Sequence, residues 1–334
     1  MAQTQKERAG VLPGLFEDMN SAKKRATTPA EIWAIGGGKG GTGKSFIASN
    51  VGVALSKMGH RVLLVDADLG CANLHTFLGV TPVATLSDFI NGKIKDIDNV
   101  LTPTDLPNLM LISGACDFLE IANPKHTQRN RLIRRIQDLP FEYIILDLGA
   151  GTGFTLLDFF LSADTGILSV LPEPTSIENA YRFIKSAFYR RFKKMAKNPD
   201  VKELITAAMN EKNALGIRTP HDLLDHVAAI DGAMGQKMKE AVLTFSPKVI
   251  VNQVRSRDDM TLGFSMRSAC AKYFGIKVDY LGYIEYDDYV WMATKKKTPL
   301  ILERPYASAA RCLDRVVSNL MNKDELTLDS ILKM

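Results

Sequence analysis

The sequence predicts an α/β fold: a mostly parallel β-sheet with helices on both faces, carrying one helical insertion. Three observations point there. Short, unbroken apolar runs of strand length recur along the chain, as expected of strands buried on both faces. Helical stretches separate them. One interval, between the runs at 166–171 and 248–251, is far longer than the single crossover helix that a parallel connection needs.

In order, residues 1–30 are polar, contain Pro13, Pro29 and the basic run Lys23, Lys24 and Arg25, and read as a flexible arm. The first apolar run is 32–35. A glycine-rich loop follows, then a helical stretch at 45–58 closed by Gly59. A second strand at 61–65 ends in acids and completes a βαβ unit. Further strands are expected at 143–146, 166–171, 248–251 and 281–284, before a closing helix at about 307–321. The long interval holds an amphipathic helix at about 176–197 and helical pieces around 200–215 and 220–243. The expected organisation is an arm (1–30), one α/β domain (31–321) with a helical insertion at about 193–243, and a tail (322–334).

Composition narrows the classes. The chain has 334 residues, 46% hydrophobic and 24% charged, which excludes disordered and collagen-like chains. Its 42 Lys+Arg against 37 Asp+Glu give +5, too little to mark a nucleic-acid binder by net charge alone. The four cysteines form no CxxC or Cys/His cluster, so reduced thiols in a cytoplasmic protein are expected. No signal-peptide core and no 18-residue apolar run is present, which favours a soluble chain.

Gly38-Lys39-Gly40-Gly41-Thr42-Gly43-Lys44-Ser45 fits G-x-x-x-x-G-K-[ST] between an expected strand and an expected helix, the context of a P-loop NTPase. Glycines let successive backbone N–H groups turn toward phosphate oxygens, and a helix N-terminus adds positive potential. Lys44 is placed to reach the β- and γ-phosphates, and the Ser45 hydroxyl to ligate Mg²⁺. ATP and Mg²⁺ are therefore the expected ligands. Asp66 and Asp68 follow the second strand, where a metal-bound water needs an acceptor; capping of the next loop is the competing reading. Asp147 ends the strand 143–146 as a Walker B acid does.

Lys39-Gly40-Gly41-Thr42-Gly43-Lys44-Ser45 also resembles KGGxGK[ST], the deviant Walker A sequence of the MinD/ParA family of ATPases. That resemblance implies that Lys39 crosses an ATP-sandwich homodimer to the partner's nucleotide and neutralises transition-state charge. A solvated loop lysine is the alternative. Asp66-Ala67-Asp68-Leu69-Gly70-Cys71-Ala72-Asn73-Leu74 resembles the family's D-x-D-x-x-x-x-N-L segment. By that match Asp66 lies near Mg²⁺, Asp68 orients the attacking water, and Asn73 joins the nucleotide-sensing loop. Asp147-Leu148-Gly149-Ala150-Gly151 resembles D-x-x-A-G. Asn252 stands where the family places an adenine-contacting Asn, with a capping role as the alternative. Glu285 departs from the proline usual at the end of the last strand. The likeness spans 31–192 and 246–321 and includes features of the FlhG-like branch that controls flagellar placement, although its DQAxxLR-type motif is absent.

The resemblance implies a slow, Mg-dependent, dimer-activated ATPase acting in cell division, partitioning or flagellar placement, with an activating protein partner. The alternative is a metallocentre- or cofactor-insertion ATPase of the same superfamily; an iron–sulfur member is disfavoured because 148–165 holds no cysteine. For location, two segments matter. Arg182, Lys185, Arg190, Arg191, Lys193, Lys194 and Lys197 meet no acid between Glu178 and Asp200. They are open to reading as a solvated face, a nonspecific DNA surface or a partner site. The tail carries three acids and two lysines after Asn322, a poor anchor for anionic lipid, so membrane contact is the lesser expectation.

Overall fold

The computed structural model describes residues 29–68, 72–114, 126–209, 216–217, 219–328 and 331. Its strands are β1 (Glu31–Gly37), β2 (Val62–Asp66), β3 (Leu101–Pro103), β4 (Leu109–Ile112), β5 (Tyr143–Ala150), β6 (Thr165–Val170), β7 (Lys248–Val254) and β8 (Asp279–Glu285). They form one sheet ordered β3-β4-β2-β5-β1-β6-β7-β8. All neighbours are parallel except β3 and β4. The expected mostly parallel sheet, covered on both faces, is therefore present.

The helix after β1, α1 (Lys44–Lys57), is buried almost all round, including Phe46, Ile47, Val51 and Leu55. It is sandwiched between the sheet and two C-terminal helices, α12 (Leu300–Glu303) and α13 (Ser308–Asn322). A helix covered on both sides has no need of a single apolar stripe. Gly52 lets it close on β2: a Cβ there would lie 3.0 Å from the Leu64 side chain.

The remaining helices are α2 (Leu74–Phe77), α3 (Leu86–Ile90), α4 (His126–Gln137), α5 (Phe154–Phe160), α6 (Pro174–Met195), α7 (Pro199–Ala208), α8 (Pro220–Ile230), α9 (Gly232–Leu243), α10 (Arg257–Phe274) and α11 (Asp288–Lys295). The sequence pattern missed β3 and β4, which are three and four residues long, β3 ending on Pro103 at the sheet edge. It also ran α8 and α9 together. Asp231 separates them: its extended backbone ends α8, and its side chain accepts the Met234 N–H to start α9. The expected arm lies outside the described residues except for Pro29 and Ala30.

The basic helix requires a correction. Its bases are not unopposed, because acids and hydroxyls reach it from other elements. Arg190 makes a two-pronged ion pair with the buried Asp158 of α5, at 2.9 and 2.8 Å, and stacks on the Phe154 ring. Lys194 lies 3.5 Å from the same carboxylate. Arg182 pairs with Glu178 of its own helix, Arg191 donates to Thr244 and Lys193 donates to Thr206. Replacing Arg190 with alanine is expected to destabilise the fold by about 3 kcal/mol, because Asp158 loses its best-oriented partner in a dry site. Urea denaturation checks this; an unchanged midpoint would show that the pair holds nothing together.

The tail is not a loose end either. Glu325 pairs with Arg267 and Lys277, and the Leu326 N–H donates to the Tyr280 carbonyl of edge strand β8 at 2.8 Å. Leu326 and Ile331 are buried. Among the described residues, no helix is long and apolar enough to cross a membrane.

Candidate functional site

The centre of the sheet decides where the chemistry converges. β1 runs between β5 and β6, and β2 lies beyond β5, so the loops leaving β1, β2 and β5 open side by side. Register aligns Asp66 directly with Asp147 across β2 and β5. The loop leaving β1 turns through Gly41 (φ 78°) and Gly43 (φ 88°), in the left-handed region that glycine tolerates, and Gly43 caps α1. A Cβ on Gly43 would also lie 2.2 Å from the Asn252 amide nitrogen.

Thr42 is held from two other strands. Its carbonyl accepts hydrogen bonds from the Ser169 hydroxyl of β6 at 2.6 Å and from the Asn252 side-chain amide of β7 at 2.9 Å. Asn252 Oδ1 accepts the N–H of Gln253, which sits at φ 59° where β7 shifts register against β8. The expected adenine-contacting residue is therefore tied to the phosphate-type loop in this structure.

Lys44 folds inside the loop, 9% exposed, with Nζ 3.4 Å from the Lys39 carbonyl. Burial pulls its pKa down, while the nearby Asp147 and Asp68 carboxylates push it back up. Asp66 is fully buried and accepts three backbone N–H groups, from Asp68 (3.2 Å), Asn73 (2.9 Å) and Leu74 (2.9 Å). It thus caps the segment that follows it, as the competing reading allowed. Asp147 is 2% exposed; the nearby Ser45 hydroxyl favours its charged form, yet its Oδ1 has no hydrogen-bond partner among the described residues. Burial, and for Asp147 the proximity of Asp66, push both carboxyl groups well above the usual carboxylate range.

Two buried acids side by side and one lysine leave this end of the sheet short of positive charge. An orphaned carboxylate oxygen next to a serine hydroxyl suits a hard divalent cation, so Ser45 and Asp147 fit Mg²⁺, with Asp66 alongside but already holding three backbone N–H groups. Asp68 lies over the same centre: its carboxylate packs on the backbone of Gly149, where a Cβ would stand 3.0 Å from Asp68 Cγ. The segment after β2 therefore touches the end of β5 through that side chain.

Lys39 lies apart, at the rim. Its Nζ is 3.2 Å from Glu173 Oε2 and 3.2 Å from Thr175 Oγ1, both at the start of α6, and the side chain is 39% exposed. In this chain alone it grips its own α6. Gly38 fits tightly there too, since a Cβ would meet the Asn179 carbonyl at 2.2 Å. The structure brings 38–45, Asp66, Asp68, Asp147 and Asn252 to one end of the sheet; Leu69, Gly70 and Cys71 of the intervening motif lie outside the described residues. Ser169, Glu173 and Thr175 were missed. Ser169 left a signal, as the lone hydroxyl in the apolar run 166–171.

The family described as the CobQ/CobB/MinD/ParA nucleotide binding domain matches residues 33–300. The chain is 36% identical over 160 residues to the antiactivator FleN of Pseudomonas aeruginosa, covering 47% of this chain and 56% of that one. It is 32% identical over 154 residues to the flagellum site-determining protein YlxH of Helicobacter pylori, covering 46% and 52%. The matched stretch thus spans about half the length of these two relatives. Among solved structures, the septum site-determining protein MinD of Pyrococcus horikoshii, complexed with Mg-ADP, superposes with a TM-score of 0.58 at 22% identity over 87% of this chain and 96% of that one.

Proposed function

The chain belongs to the CobQ/CobB/MinD/ParA nucleotide-binding family, and on that premise we propose that it is a slow, Mg-dependent ATPase whose ATP form is a homodimer acting in spatial regulation. The observation that carries the catalytic part is the orphaned, buried Asp147 Oδ1 beside Ser45 and Lys44 at the mouth of the loop. Bound there, Mg²⁺ would neutralise charge on the β- and γ-phosphate oxygens. The loop's N–H groups and Lys44 hold the phosphates. Asp68, pressed on Gly149, is placed to accept a proton from an attacking water while keeping that water in line. Lys39 supplies the final cation after letting go of Glu173 and Thr175, a contact between half-exposed groups worth no more than about 1 kcal/mol. A grip that weak is easily exchanged for a partner's phosphate.

The likeness to the flagellum site-determining protein YlxH favours placement of flagella as the regulated process. An activating protein partner is part of the proposal. Such a partner, or DNA, would meet Lys185 of α6 and Lys197 just beyond its end rather than Arg190, which is spent on Asp158.

Hydrolysis by the purified protein is expected to stop when EDTA removes Mg²⁺, and the rate per molecule is expected to climb with protein concentration as dimers form. A rate per molecule that stays flat from nanomolar to high micromolar protein would remove the dimer from the mechanism.

A further inference from the structure

One carbonyl ties two strands to the loop. Thr42 sits in the loop between β1 and α1, yet its oxygen is held by Ser169 from β6 and Asn252 from β7. All three residues are buried, at 1%, 1% and 4% exposure. A trans peptide sets the N–H of the next residue opposite the carbonyl. Fixing the Thr42 oxygen toward β6 and β7 therefore turns the Gly43 N–H the other way, into the loop. That N–H opens α1, where the helix dipole also favours an anion. The clamp leaves no slack: Gly43 has no room for a Cβ against the Asn252 amide.

Resting on the nucleotide-binding reading above, we propose that Ser169 and Asn252 are positioning residues that pre-set the phosphate cradle by pinning the Thr42 carbonyl, so that Asn252 serves the phosphates whether or not it also reads a base. Asn252 has the capacity for both tasks. One Nδ2 proton is used on Thr42, and its Oδ1 on the Gln253 N–H, leaving the second Nδ2 proton and one Oδ1 lone pair for a base edge. A cradle already shaped before ligand arrives spares the cost of ordering it on binding. Ser169 is also joined in chain to the start of α6, whose Glu173 and Thr175 hold Lys39. The end of β6 thus fixes both the inner and the outer edge of the loop.

The probe is inorganic tripolyphosphate, which offers phosphates without a base, compared with ATP and GTP by calorimetry in Mg²⁺. Ser169→Ala is expected to weaken all three ligands alike, by roughly threefold to tenfold, the loss of one buried hydrogen bond. Asn252→Ala is expected to weaken tripolyphosphate by a similar factor, and ATP by at least as much. Ser169→Thr, which restores the hydroxyl, should recover affinity, and thermal midpoints taken beside each titration separate a loosened loop from a lost fold. If Asn252→Ala weakens ATP but leaves tripolyphosphate at wild-type affinity, Asn252 reads the base only and the clamp is refuted. A Ser169→Ala protein with unchanged affinities refutes it too. Failure of the wild-type chain to bind any of the three ligands would instead overturn the nucleotide site itself.

Discussion

Lys44→Ala is expected to lower ATP affinity by about a hundredfold, roughly 2.7 kcal/mol, and to bring hydrolysis to background. The side chain is buried within the loop and lies within electrostatic reach of Asp147 and Asp68. A phosphate entering the loop brings several negative charges toward Asp66 and Asp147. Without the lysine, little of that charge is offset at the loop's centre. The fold should tolerate the change, because removing Lys44 also removes the penalty of keeping an ammonium dry. Circular dichroism should show native helix content and a thermal midpoint close to wild type. Calorimetric titration with ATP then reads the loss in affinity without ambiguity. Wild-type affinity in a folded Lys44→Ala protein would mean that phosphate binds elsewhere.

Asp68→Ala is expected to bind ATP within a fewfold of wild type and to hydrolyse it at least a hundredfold more slowly, the usual scale for loss of a positioned proton acceptor. The backbone N–H that Asp68 gives to Asp66 survives the substitution, so the segment after β2 keeps that tie. What disappears is the carboxylate resting on Gly149. Asp68→Asn, which keeps the shape but is a far poorer base, should be equally slow. A single-turnover assay separates the chemical step from nucleotide release. Hydrolysis at the wild-type rate in both variants would make Asp68 a cap for the loop and nothing more.

The loop 38–45 was legible in the sequence because phosphate binding forces local regularities. Glycines stand where φ is positive, and a lysine and a serine follow at fixed spacing before a helix. Strands β1, β2, β5, β6, β7 and β8 were legible because both of their faces are buried, which leaves unbroken apolar runs. The misses share a different cause: they depend on partners far along the chain. Asp158 meets Arg190 across 32 residues, and Asn252 meets Thr42 across 210. No local pattern announces such a pairing. A run of bases therefore looked like an open cationic face when an acid from α5 already occupied it. Similarly, Asn252 looked free to read a base, although the fold had committed half of its amide to the loop.

Mass measured by light scattering decides whether ATP converts a monomer into a dimer. With ADP, or with no nucleotide, the wild-type chain is expected to scatter as a single 36.9 kDa particle. With ATP and Mg²⁺ the Asp68→Ala chain should scatter at twice that mass and stay there, whereas Lys39→Ala should remain at the monomer mass in the same buffer. A monomer mass for Asp68→Ala under saturating ATP, or a doubled mass for every sample irrespective of nucleotide, would contradict the switch.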